Sequence, residues 1–392
     1  MRYTKAISRL EALGHDRWHL YKLAQEKKRL GEDIIELAIG EPDVPTPDDL
    51  TRAVIRSLEN GRTGYAAGPG EPELRTALAN RYSRTLGREI TPSRILCFPG
   101  TQTALYATVQ AIAGQGDEII VGDPMYATYE TVFASSGASP VTVPLRAEKG
   151  FRIQASDIEQ KITQNTSAIF LNTPHNPTGA VLDQADINAI CSLAKQYDLW
   201  LLVDEVYDEL VFDGSTFYSP LSRADCDDRV IVVSSISKSH AAPGFRSGWC
   251  VASEDFCTKL LALSEAMLFG NQPFIADATA IAVSEPSPVA REMCKRFSAR
   301  ADYLEETLQS RTGLRVHKPA AGMFALIDVS STGLNGETYA LDLLEKGGVS
   351  VMPGHSFGSS LENWIRLSLT ETDPVFREGC RRIAVHANSL QG

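Results

Sequence analysis

Two side chains of this sequence stand where covalent and acid–base chemistry is possible. Lys238 follows the serine-rich run Ser234-Ser235-Ile236-Ser237, and Asp204 closes the apolar run Trp200-Leu201-Leu202-Val203. A lysine held among neutral hydroxyls and near a second cation, Arg246, has its ammonium form disfavoured, which frees the amine to form a Schiff base. A carboxylate at the end of an apolar run is drawn inward and needs a partner. That partner is either the backbone of the turn over 206–210 or a cation brought by a ligand, such as a protonated ring nitrogen. Other apolar runs end in the same way. Gly100-Thr101-Gln102-Thr103 opens a helical stretch, and a further run is followed by Asn172-Thr173-Pro174-His175-Asn176-Pro177-Thr178-Gly179. Small residues at a helix start offer free N–H groups to an anion, and with Ser235 and Arg246 they could cup a phosphate.

For these loops to meet, the runs before them must be strands of one sheet. Between 94 and 252, short apolar runs alternate with helical stretches, which predicts mostly parallel strands covered by helices. The candidate strands are 94–99, 118–121, 168–172, 200–204, 230–235 and 248–252. Helices over 103–113, 126–135 and 185–196 are long enough to cross between them. In such sheets ligands gather beyond the carboxyl ends of the strands, where the polar residues lie. After Pro288 the pattern turns α+β: a charged helix over 289–310, strands over 324–329, 349–352 and 365–369, and a closing helix from Pro374. The first 40 residues hold an amphipathic helix, 18–30, and a short strand, 34–38. The expected division is a large α/β domain, 46–288, and a smaller domain made of 1–45 and 289–392.

The 392 residues suit two or three domains at roughly 150 residues each. With 38 basic and 49 acidic side chains the net charge is −11, which opposes binding to a phosphate backbone and disfavours a nucleic-acid partner. In the short stretch before Gly40, and on an acidic chain, a DNA-binding helical module of the kind fused to some transcription regulators is not expected. No stretch approaches 18 consecutive apolar residues and Met1–Leu10 lacks a secretory apolar region, so the expected location is cytoplasmic, with no membrane partner. The seven cysteines form no Cys-x-x-Cys pair and read as free thiols. His15 and His19 have helical spacing for a metal but lack a third ligand, and no metal site is expected.

A lysine amine, an acid for a ring nitrogen, donors for a phenolic oxygen and an anion cup together point to pyridoxal phosphate. The landmarks Gly40-Glu41-Pro42-Asp43, Tyr65, Pro124-Met125-Tyr126, Asn176-Pro177-Thr178-Gly179, Asp204-Glu205-Val206-Tyr207, Ser235-Ile236-Ser237-Lys238 and Arg366 span nearly the whole chain. In that order the chain resembles the fold type I pyridoxal-phosphate enzymes of the class I/II aminotransferase family. The resemblance implies a mostly parallel seven-stranded sheet and a homodimer. It implies that Lys238 bonds the cofactor, that Asp204 holds the ring nitrogen protonated, and that Asn176 and Tyr207 hold the phenolic oxygen. Tyr126 would stack on the ring. Gly100, Thr101, Gln102, Ser235 and Arg246 would take the phosphate, with Tyr65 reaching in from the second subunit. Arg366 would bind the substrate carboxylate bidentately, assisted by Gly40 and Asn176. One departure is Gly244-Phe245-Arg246, where many relatives have Gly-Trp-Arg.

The expected reaction moves an amino group from an L-amino acid to a 2-oxo acid in ping-pong fashion. Among family members the chain is most similar to arginine–pyruvate transaminases, through stretches such as Ser237-Lys238-Ser239-His240-Ala241 and Gly322-Met323-Phe324. A guanidinium substrate needs an acidic or aromatic partner at the pocket mouth. Asp16 and Trp18 are the candidates, ahead of Glu265, with a helix cap the competing role for Asp16. The alternatives are an aspartate or aromatic amino-acid aminotransferase, or a C–S lyase on the same scaffold. Aspartate would need a second cation beside Arg366, which the 264–274 stretch does not offer.

Overall fold

The apolar runs of the middle of the chain form one seven-stranded sheet because they alternate between two buried faces. Ile95, Cys97, Ile169, Leu171, Leu201, Val203, Val230 and Val232 enter one core cluster. Their neighbours Leu96, Phe98, Ala168, Phe170, Leu202, Ile231 and Val233 enter another on the opposite side. Strands apolar on both faces are those of a sheet covered by helices on both sides. The computed structural model describes residues 3–13 and 16–391, without the side chains of Asp16 and Gln391. His15 lies outside the described residues.

In chain order the strands are β1 (Ile95–Phe98), β2 (Glu118–Asp123), β3 (Ser139–Pro144), β4 (Thr166–Asn172), β5 (Trp200–Asp204), β6 (Val230–Ser235) and β7 (Gly248–Val251). Their spatial order is β1-β7-β6-β5-β4-β2-β3. β7 alone runs against the direction shared by the other six. The residue pattern alone had six of these strands. The seventh, β3, reads Ser-Pro-Val-Thr-Val-Pro, and its two prolines fit the sheet edge it occupies while hiding it from a strand search.

A four-stranded antiparallel sheet follows, built from β8 (Arg315–His317), β9 (Phe324–Asp328), β10 (Met352–Pro353) and β11 (Trp364–Ser368), in the order β10-β11-β9-β8. The helices Pro288–Arg311 and Asp373–Gln391 flank its core, which holds Phe297, Leu304, Phe376 and Ile383. The strand expected over 349–352 is split. Val349–Ser350 pairs in parallel with Ile35–Glu36, while Met352–Pro353 joins the second sheet. The helix expected over 18–30 begins as a 3-10 turn, Asp16–Trp18, before His19–Arg29.

Candidate active site

The carboxyl ends of β4, β5 and β6 and the N-terminus of the helix Thr101–Ile112 open into one cavity of about 270 Å³. Its wall contains Gly40, Thr101, Gln102, Tyr126, Asn176, Asp204, Tyr207, Ser235, Lys238, Arg246 and Arg366, together with Trp18. These come from chain positions more than 300 residues apart.

Asp204 is held by two donors, the Tyr129 hydroxyl at 2.8 Å and the Val206 amide at 3.0 Å. The Val206 amide is the backbone partner weighed for this carboxylate. Burial pushes its carboxyl up to about 6, although both donors favour the anion. A cation facing it from the cavity would supply what burial removes. Lys238 Nζ donates to the Gly40 carbonyl at 2.8 Å. Burial lowers its ammonium to about 8, with Glu41 opposing and Arg366 and Arg246 assisting. Part of the amine is therefore uncharged near neutral pH. Asn176 lies against the Tyr207 hydroxyl, so two hydrogen-bonding groups converge on one point of the wall.

At the other end, the helix Thr101–Ile112 presents its unpaired N–H groups, and the buried Thr101 hydroxyl has no partner in the protein. Gly100 has φ +87°, and a Cβ there would lie 2.4 Å from Arg246 Nη2. The absent side chain lets the guanidinium close over the helix start. An anion placed there would meet Ser235, Arg246 and the free amides together, which is the donor set a phosphate needs.

Arg366 is buried in the middle of β11. Its Nη1 donates to Asn176 Oδ1 at 3.1 Å and its Nη2 to the Ala38 carbonyl at 2.6 Å, while Nε has no partner. Its guanidinium lies between the rings of Phe324, 3.8 Å away, and Phe357, 4.4 Å away. Burial lowers it to about 10. No carboxylate of the chain pairs with it among the described residues, so this cation is kept for an anion from outside. Gly40 makes the arrangement possible, since a Cβ there would lie 2.1 Å from Phe324 Cζ.

Two expected residues stand apart. Tyr65 is 93 % exposed, on the outer surface against Phe269, and does not line the cavity of its own chain. Glu265 packs against Gly68 instead. The Asp16 side chain lies outside the described residues. The sequence reading passed over Tyr129, Phe324 and Phe357. Tyr129 opens the helix Tyr129–Ser136, three residues after Tyr126, and no local pattern sets it apart from a core aromatic.

Comparison with known proteins narrows what such a cavity does. The family described as aminotransferase class I and II matches residues 32–383. An arginine–pyruvate transaminase of Pseudomonas aeruginosa is 41% identical over 392 residues, covering 100% of both chains. A probable aspartate/prephenate aminotransferase of Aquifex aeolicus is 33% identical over 366 residues, 92% of each. Among solved structures, a Thermus thermophilus aspartate aminotransferase mutant superposes with a TM-score of 0.92 at 30% identity, over 98% of this chain and 100% of that one. A match that runs through the large sheet, the cavity and the second sheet alike makes this chain a member of the class I and II aminotransferase family, and an enzyme of the transferase class.

Proposed function

We propose that the chain uses pyridoxal phosphate to move an amino group from arginine to a short 2-oxo acid such as pyruvate. The observation that carries the cofactor is the pair of unmet charges at opposite ends of one cavity. A buried carboxylate short of a cation faces the ring side, and a helix start with an unpartnered hydroxyl and Arg246 faces the anion side. The phosphate would rest on the amides of Thr101 and Gln102, on Ser235 and on Arg246. Asp204 would hold the ring nitrogen protonated, Asn176 and Tyr207 the phenolic oxygen, and Tyr126 would stack on the ring. When bound, the cofactor supplies an electron sink for negative charge at the substrate Cα.

The chain's own residues do the rest. Arg366 binds the α-carboxylate of donor and acceptor, with Gly40 and Asn176 beside it, and so fixes Cα relative to Lys238. Lys238 would hold the cofactor, and its amine, partly uncharged near neutral pH because burial lowers its ammonium to about 8, is the base placed to take the Cα proton. Asp204 stabilises positive charge on the ring throughout.

Arginine as donor is supported by the Pseudomonas aeruginosa relative and by the cavity wall. Its cations among the described residues are Lys238, Arg246 and Arg366, each already given a task, so none is left for a second carboxylate. That observation disfavours aspartate. We further propose the division at 46–288 and a homodimer in which Tyr65 completes the neighbouring site. The seven free cysteines support a reducing, cytoplasmic setting. The test is kcat/KM for arginine, lysine, aspartate, alanine and phenylalanine with pyruvate and 2-oxoglutarate. Arginine with pyruvate should lead. Aspartate with 2-oxoglutarate as much the best pair would overturn the donor assignment, and ammonia release without an aminated acceptor would point to a lyase.

A further inference from the structure

Beside the cavity lies an ion pair that the amino-group chemistry does not use. Arg17 donates to the Glu130 carboxylate and, through Nη1, to the Ala127 carbonyl at 2.8 Å. Both partners adjoin the cavity wall. Trp18, next to Arg17, is a wall residue, as are Tyr126 and Tyr129 on either side of Ala127 and Thr128. Thr128 donates to Gln102, also in the wall, at 3.2 Å. The pair is partly open to solvent, with side-chain exposures of 29% and 24%. The Arg17 backbone is held separately, because Ser356 Oγ donates to its carbonyl at 3.3 Å. The segment therefore keeps an anchor when the guanidinium lets go.

The structure thus contains a seated guanidinium, on one carboxylate and one carbonyl, beside a cavity whose only wall carboxylate among the described residues is Asp204. We propose that Glu130 and the Ala127 carbonyl form the side-chain subsite for a guanidinium donor, with Arg17 as a resident surrogate that the donor displaces. This rests on the arginine reading above and deepens it. The exchange replaces one guanidinium by another on the same acceptors, and a partly exposed pair is weak, so displacement costs little. A short 2-oxo acid leaves Arg17 in place. One cavity then serves a long cationic donor and a small acceptor in turn.

The test uses the holoenzyme of the parent, Glu130→Gln and Arg17→Gln, with arginine and with norleucine, a shorter unbranched donor whose side chain carries no charge. The ratio of kcat/KM for arginine over norleucine should fall at least ten-fold in Glu130→Gln, and should hold or rise in Arg17→Gln, where the receptor is emptied. Calorimetric titration with 5-guanidinopentanoate, which has the carboxylate and the guanidinium but no amine to react, should rank the three proteins in the same order. An unchanged ratio in Glu130→Gln overturns the subsite. So does an equal loss in both variants, which would make the pair only an anchor for 16–18. If the parent uses norleucine but not arginine, the donor assignment itself falls, and the subsite with it.

Discussion

At the scale of single residues, the site is built from charges that folding alone would not choose. Asp204 is the clearest case, because its carboxyl is raised to about 6 from an ordinary 3.8 by burial. The folded chain then holds this proton more tightly than the unfolded chain does. Ionisation opposes folding, with no penalty below pH 4 and the full penalty above pH 6, about 3 kcal/mol for a shift of that size. In the cofactor-free protein, Asp204→Asn should raise the unfolding free energy by up to about 3 kcal/mol at pH 8 and hardly at all at pH 4, as measured by urea titration. The same substitution should lower kcat roughly 10²–10³-fold, the usual loss for a buried electrostatic group. Equal stability of the two proteins at pH 8 would show that Asp204 is better solvated than its burial implies. Asp204 and Lys238 were legible in the sequence because a charge at the end of an apolar run is anomalous. Tyr129, Phe324 and Phe357 were not, since a buried aromatic in the site looks like any aromatic in the core. The pairing of Arg17 with Glu130 was hidden for another reason: nothing local marks a contact between residues 113 apart.

At the scale of elements, function depends on how closely the 38–43 segment approaches the second sheet. Its carbonyls at Ala38 and Gly40 accept from Arg366 and Lys238, and Asp43 is clamped by Arg296 and Arg300 of the helix Pro288–Arg311. Gly40→Ala would set a methyl group where the Phe324 ring lies. Displacing that ring should loosen the stacking on Arg366 and raise KM for donor and acceptor alike by about ten-fold or more, if one cation–π contact of about 1–2 kcal/mol is lost. A KM change confined to one donor would instead place the effect on side-chain recognition. The interior strands β4, β5 and β6 were legible because both faces are buried and the runs are continuous. The helices Asp48–Glu59, Pro72–Leu86, Glu254–Met267 and Pro273–Ala282 went unassigned. These segments carry helix signals of their own, with two acids in the first turn of Asp48–Glu59, a Ser253 cap before Glu254–Met267 and a proline at the start of the other two, so they were readable from residue type.

At the scale of the whole molecule, the outer surface of the 65–70 loop stands out. Tyr65 and Phe269 meet edge to face at 6.0 Å with 93 % and 63 % of their surfaces exposed, and Met267 and Leu263 lie on the same stretch as Phe269. An apolar patch of this kind is expected to be covered by a second copy of the chain. Light scattering should return about twice the 42.7 kDa chain mass, and Phe269→Asp should shift the population toward monomer with loss of turnover. A parent that stays monomeric at micromolar concentration would remove the role given to Tyr65.

The grip on Arg366 also fixes an order of events in time. Its partners Asn176 and Ala38 lie 190 and 328 residues away in the chain, and Lys238 reaches Gly40 across 198. Contacts so distant in sequence close late in folding, after helices and neighbouring strands have formed. When the denatured chain is diluted into buffer, far-ultraviolet ellipticity should recover first and affinity for a carboxylate ligand last, so that a nascent chain bears its helices before it can hold a substrate.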